Sequence, residues 1–159
     1  MKRTNIPTTL VIIFTTVIAL GIAPRAQADE HDRCSNATLR GSFGYTSTGT
    51  LLDTYVPPPL AGPFAEVGKQ TFDGRGKTEA TATLSTNGNP ATVTVEGTYA
   101  VNPDCTGSMT LHVSPFGSTV HAYFVIDNDG AEFRAIVTDP NLIESRVYAR
   151  QFQGGHQGW

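Results

Sequence analysis

The chain is poor in several residue types, and each shortage narrows its reading. Only one tryptophan is present, and it is the last of 159 residues. An immunoglobulin-like sandwich commonly packs a tryptophan in its core, so Trp159 argues against that fold. Basic residues are few, with eleven Lys and Arg against fourteen Asp and Glu. An acidic chain with scattered bases is a poor ligand for phosphate backbones, which excludes nucleic acid and anionic membrane surfaces as partners. There is no Gly-x-Ser-x-Gly, His-Glu-x-x-His, phosphate loop or calcium loop. Nothing in the pattern calls for a cofactor or a metal. Beyond the N-terminal segment no window has a helical period, and none approaches the roughly 20 apolar residues that span a bilayer.

Residues 1–28 have the layout of a secretory signal peptide. Lys2 and Arg3 give a positive start, Leu10 to Ala23 are mainly apolar, and Ala26-Gln27-Ala28 is a small-x-small cleavage site. The apolar run is short for a membrane anchor, and no cysteine follows it directly as in a lipoprotein. The chain is therefore expected to be secreted or periplasmic, with no stable membrane insertion after cleavage. The leader carries three of the eleven basic residues and no acid, so the mature chain is more acidic still. Residues 29–159 suit one domain with one core. Within them, residues 29–39 read as a flexible segment, 40–152 as the folded domain and 153–159 as a Gly-rich flexible tail. Asn36-Ala37-Thr38 matches a glycosylation acceptor.

Cys34 and Cys105 are the only cysteines. In an exported chain a disulfide is the expectation, tying the entrance of the domain to its middle. A catalytic thiol or a metal ligand is the rival reading, but there is no Cys-x-x-Cys and no adjacent histidine.

The clearest secondary-structure signal runs from Val93 to Val113. Val93, Val95, Gly97, Tyr99 and Val101 alternate with polar residues, as do Met109, Leu111 and Val113. That alternation is the period of half-buried strands. Asn102-Pro103-Asp104-Cys105 supplies turn chemistry between them. Gly97 suggests a bulge or bend. Similar runs are predicted at 40–51, 63–72, 77–85, 119–127, 131–138 and 142–152. Turns are expected at Asp73-Gly74-Arg75-Gly76, Asn87-Gly88-Asn89-Pro90, Asn128-Asp129-Gly130 and Asp139-Pro140. The stretch 52–62 contains Pro57-Pro58-Pro59 and reads as a loop, either a lid or a plain connector. Eight short strands joined mostly by tight turns predict an all-β fold, an eight-stranded antiparallel up-and-down β-barrel. A β-sandwich is the alternative.

Candidate chemistry is sparse. His112 and His121 flank one loop, and with Glu96 or Glu132 they are candidates for an acid–base or metal site. The competing reading is two histidines on a polar outer face. Glu66, Glu79, Glu96, Glu132 and Glu144 lie in predicted strands. One aimed into an apolar lumen would have a raised pKa and serve as an acid or base, whereas on an outer face it would be solvated or paired. Tyr45, Tyr99, Tyr123 and Tyr148 read as packing residues with a hydrogen-bonded tip rather than catalysts.

The segment GTYAVNPDCTGSMTL, preceded by the FDGRG turn and followed by DNDGAEFRAIVTDP, resembles exported bacterial proteins of the allene oxide cyclase barrel-like group. CSNATLRGSFGYTSTGT, starting at Cys34, is similar to the usual opening of that group. The resemblance covers Cys34 to Arg150 and implies an eight-stranded barrel with a lumen. Its wider superfamily includes plant cyclases of fatty-acid epoxides, dirigent proteins and microbial polyketide cyclases. No catalytic residue of that superfamily carries over to a position here, and fold alone does not assign function.

Three functions follow from these readings. The first is binding of a small apolar or aromatic molecule in a lumen lined by Phe43, Tyr45, Val95, Tyr99, Leu111, Phe124 and Phe133. The second is a cyclase or isomerase that acts by shaping its substrate. The third is a structural or surface-interaction protein whose barrel is filled by side chains. A cavity below about 300 Å3 would favour the third. A buried carboxylate or histidine beside apolar walls would favour the enzyme, and a uniformly apolar cavity the binder.

Overall fold

The computed structural model describes residues 34–151. The signal-peptide and C-terminal-tail expectations lie outside the described residues. Eight strands follow in order: β1 (Gly41–Leu51), β2 (Gly62–Phe72), β3 (Lys77–Thr86), β4 (Asn89–Val101), β5 (Thr106–Ser114), β6 (Ser118–Asp127), β7 (Glu132–Val137) and β8 (Leu142–Arg150). Each pairs antiparallel with the next, and β8 pairs with β1, so the sheet is a closed up-and-down barrel. Closure leaves no sheet edge unpaired, which removes the template for strand-to-strand aggregation.

The two-residue period decides which side chains fill the interior. In β3, Thr78, Ala80, Ala82, Leu84 and Thr86 point in while their neighbours are exposed. In β4 and β5, Val93, Val95, Tyr99, Met109 and Leu111 are buried. Gly97 lies in an uninterrupted ladder opposite Leu111, so the expected bulge is absent there. A Cβ at Gly97 would come within 2.2 Å of the Thr110 carbonyl oxygen, and close backbone approach explains the glycine instead. The β3–β4 turn is shorter than its sequence suggests. Asn87 and Gly88 both have positive φ and Thr86 pairs with Asn89, so Pro90 lies within β4. That is the two-residue hairpin geometry that Asn-Gly favours.

Strand β8 inverts the simplest hydrophobic expectation. Ile143 and Val147 are 63 % and 53 % exposed, while Glu144 and Arg146 point inward. Leu142 and Tyr148 are buried in phase with those charges. Barrel closure against β1 forces this choice, because Tyr148 faces Tyr45 and Arg146 faces Ser47.

One half of the barrel is filled with rings. Phe43, Phe72, Phe124, Phe133 and Tyr148 are each at most 1 % exposed, and Tyr99 is 5 % exposed. Phe133 and Tyr148 stack with centroids 3.9 Å apart and planes 9° from parallel. Phe72 meets Phe43, Tyr99 and Phe133 edge-on at 5.5, 5.0 and 5.6 Å. Edge-to-face pairs of this kind add to the several kcal/mol that burying each ring contributes, by about 0.5–1.5 kcal/mol each.

The chain entering β1 covers that half. Residues 34–39, expected to belong to a flexible segment, are packed. Asn36–Leu39 form a 3-10 turn, Leu39 is fully buried, and the Asn36 side chain accepts the Val101 N–H at 2.8 Å. Tyr99 donates its hydroxyl hydrogen to the Asn36 carbonyl at 3.0 Å. Cys34 and Cys105 form the expected disulfide, with Cα atoms 4.9 Å apart. The Arg150 guanidinium donates to the carbonyls of Thr38 and Gly130 at 2.8 and 2.7 Å and also to that of Arg40. These bonds exist because the short turns present carbonyls with no strand partner.

Candidate functional site

The other half of the barrel is open and holds a cavity of about 340 Å3. Its walls are apolar: Leu51, Phe64, Leu84, Val113, Val120 and Leu142 line it from six strands. Its rim comes from loops. Tyr55, Val56 and Leu60 of the proline-rich β1–β2 connection and Phe116 of the β5–β6 connection contribute to it. That connection is thus part of the cavity wall.

Three charged side chains, Glu66, Glu144 and Arg146, also line this cavity. They come together because Glu66, Ser47 and Arg146 form one row across β2, β1 and β8. All three point inward, and Glu144 stands one inward position along β8. Adjacent strands are about 4.8 Å apart, so Glu66 and Arg146 each start one strand spacing from Ser47. The Arg146 side chain is 5 % exposed and pairs through Nε with Glu144 Oε1. Ser47 donates to the same Oε1 at 2.6 Å. Tyr45 donates its phenolic hydrogen to Glu66 Oε1, and the Arg146 guanidinium lies 5.6 Å from the Tyr45 ring centroid. The Arg146 Nη1 is buried and has no hydrogen-bond partner among the described residues. Buried donors are nearly always paired, so Nη1 stands out.

The electrostatics separate the three charges. Burial away from water raises the Glu66 pKa above its usual value, and the nearby Glu144 carboxylate adds to this. Arg146 and the Tyr45 hydrogen bond oppose it without cancelling it. Burial also works against the Arg146 charge, but Tyr148, Glu144 and Glu66 together outweigh it and hold the guanidinium protonated. Burial raises the Tyr45 pKa far above its ordinary value, with Glu66 as the next cause, so the phenol keeps its proton. Below this floor a second polar chain runs from the Tyr148 hydroxyl to Gln70 at 3.0 Å and from Gln70 to Thr78 at 2.9 Å.

The lumen residues expected from sequence are all inside, each at most 5 % exposed. They do not line the cavity. Phe43, Tyr99, Phe124 and Phe133 are packed in the ring-filled half, with Val95 and Leu111 among the buried core, and Tyr45 lies next to the charged floor. The physical reason is crowding: six rings occupy the width of an eight-stranded barrel, and space opens only where smaller aliphatic walls take over.

The four polar candidates lie on the outside. His112 faces Glu96 across β4 and β5, and its Nδ1 is 3.0 Å from the Thr119 hydroxyl. His121 pairs through Nδ1 with Asp139 at 2.8 Å. Glu132 faces Asp127. Among the described residues no group of three His, Cys, Asp or Glu side chains comes together as a metal site. The period-2 phase with Leu142 and Tyr148 was the sequence signal for Glu144 and Arg146. Glu66 shared its phase with Phe64.

A larger, more open depression of about 840 Å3 lies outside the closed end, beside Arg40, Asp73 and Arg150. Its most prominent cation, Arg150, is already committed to three backbone carbonyls. The chemistry therefore concentrates in the smaller cavity.

No family model matches this chain, and no curated protein matches it at a significant level. Solved structures that share the fold include two β-barrels. A redesigned β-barrel, b11L5F_LGL, is 16 % identical with a TM-score of 0.52, covering 74 % of this chain and 95 % of that one. EF1p2_mFAP2b, solved bound to DFHBI, is 12 % identical with a TM-score of 0.51, covering 72 % of this chain and 94 % of that one.

Proposed function

We propose that this barrel binds one small apolar or aromatic molecule in the open half of its lumen. The observation that carries the reading is an apolar cavity of about 340 Å3 floored by fixed polar groups. Small-molecule sites have that character: mostly apolar walls with a few placed polar groups that orient the ligand. A barrel of the same fold is known bound to DFHBI, which is compatible with the reading. The Cys34–Cys105 disulfide supports placing the protein outside the cytoplasm, consistent with its signal-like N-terminus. The likeness to the allene oxide cyclase barrel-like group belongs to the same proposal.

One observation favours a second reading, a cyclase or isomerase. Glu66 holds its proton more tightly than an ordinary carboxyl and lines an apolar cavity, as a general acid would.

The test is titration with the neutral fluorescent probe N-phenyl-1-naphthylamine. Saturable one-site binding is expected, and Leu84→Trp, which fills the cavity, should weaken it about tenfold or more while keeping a cooperative thermal transition. Absence of saturable binding to the folded wild-type protein overturns the reading. Native mass spectrometry of protein purified from its own host then seeks the natural occupant.

A further inference from the structure

We infer that the molecule held in this cavity carries a neutral hydrogen-bond acceptor, such as a ketone or amide oxygen, on an otherwise apolar body, and that the cavity rejects carboxylates. This inference rests on the binding reading above.

Three observations lead to it. First, the hydroxyl donors on the floor are committed, while the guanidinium is only partly so. Tyr45 has one hydroxyl hydrogen, and it goes to Glu66. Ser47 has one, and it goes to Glu144. Arg146 Nε is spent on Glu144 and Nη1 is buried and unpaired among the described residues, so a guanidinium that lines the cavity keeps unused N–H groups. A group that only donates finds no use for them, whereas an oxygen acceptor beside the guanidinium completes them. Second, a hydrocarbon leaves Nη1 buried and unsatisfied, which costs more than an ordinary hydrogen bond gains.

Third, the floor has no positive charge to spare. Arg146 is balanced by Glu144, and the third charged group is another glutamate. With Glu66 protonated the formal sum is zero, and with Glu66 ionised it is negative. In neither state does a carboxylate head meet a net positive site. It would also lose its hydration on entering apolar walls. An ammonium head brings no acceptor to the guanidinium and shares the cavity with it, and only an ionised Glu66 would draw it in.

A neutral acceptor is the head group that satisfies the guanidinium without adding a charge to the cavity. Arg146 orients it, and the aliphatic walls from Leu84, Val113, Val120 and Leu142 hold the remainder.

A matched series of naphthalenes tests this by calorimetry on the full mature chain: 2-acetylnaphthalene, 2-ethylnaphthalene, 2-naphthoate and 2-naphthylmethylammonium. The ketone is expected to bind about tenfold more tightly than the hydrocarbon, the scale of one hydrogen bond to a charged donor. The naphthoate and the ammonium are expected to bind more weakly than the ketone. In the double variant Arg146→Met with Glu144→Gln, which removes both charges together, the ketone-to-hydrocarbon ratio should fall to about one. Equal wild-type binding of ketone and hydrocarbon, or tightest binding of either ion, overturns the inference and leaves the binding reading standing. No binding by any of the four, together with no saturable N-phenyl-1-naphthylamine signal, overturns both.

Discussion

Tyr45 donates its phenolic hydrogen to Glu66, two residues along β2 from Gly68, the glycine that faces Tyr45 across the sheet. The ring reaches Glu66 because Gly68 has no side chain in its path. A Cβ at Gly68 would lie 2.7 Å from the Tyr45 ring and 2.7 Å from the Ala82 Cβ. Gly68→Ala should therefore push the Tyr45 ring off Glu66. The expected loss is on the order of 1–3 kcal/mol, the usual cost of overpacking, read by chemical denaturation. Tyr45→Phe, which removes only the hydroxyl, should cost about 1 kcal/mol. Equal stability of Gly68→Ala and wild type would show that the ring has room to move.

Glu66 makes stability depend on pH with a definite sign. Its pKa is raised by burial, so the folded protein holds this proton more tightly than the unfolded chain does. Its stabilising contribution is complete below the ordinary carboxyl range and is lost as pH rises through the folded-state value. Glu66→Gln stays neutral throughout and can still accept from Tyr45. Melting temperatures of the two proteins should lie close together near about pH 4 and diverge in favour of Glu66→Gln toward about pH 8. A gap that does not change with pH would mean that Glu66 titrates normally.

Arg146 should be intolerant of single replacement and tolerant of a paired one. Arg146→Met leaves the Glu144 carboxylate buried with only Ser47 for company, for an expected loss of about 3–5 kcal/mol. Replacing both, Arg146→Met with Glu144→Gln, should recover most of that loss. Urea unfolding of wild type, Arg146→Met, Glu144→Gln and the double variant measures the coupling, and additive losses would contradict it.

The disulfide closes a loop of 71 residues. In the chain-entropy model a loop of that size contributes roughly 4 kcal/mol by restricting the unfolded chain. Cys34→Ser with Cys105→Ser should lose stability on that scale, with the 34–39 segment opening first. Hydrogen exchange at Val101 reads that opening directly, because its N–H is bound by the Asn36 side chain.

The sequence shows most of the fold, because a period of two survives in nearly every strand. Observed strand ends at Leu51, Phe72, Val101 and Asp127 coincide with those read from alternation and turn residues. The site is less legible. Glu66 and Glu144 are legible as strand carboxylates in phase with Phe64 and with Leu142 and Tyr148, but the opposite phase also carries large apolar residues, Val67 in β2 and Ile143 and Val147 in β8. What selects them is closure. Ser47 meets Glu66 on one side and Arg146 on the other, and the second pairing joins residues 99 positions apart. Strand β8 also misleads by hydrophobicity, since Ile143 and Val147 look like core and face out. Histidines 112 and 121 have the more conspicuous chemistry, yet His112 shares the exposed phase of Ser108 and Ser114, and His121 that of Tyr123 and Val125.

The six rings that fill one half of the lumen have a kinetic consequence. On the binding proposal, a guest that reaches the glutamates has nowhere further to travel and departs by the way it came, past Tyr55, Leu60 and Phe116. Dwell time and affinity would then belong to different parts of the chain. Shortening the proline-bearing hoop between β1 and β2 would quicken exchange at the doorway, while the guanidinium at the far wall went on choosing which guests are welcome.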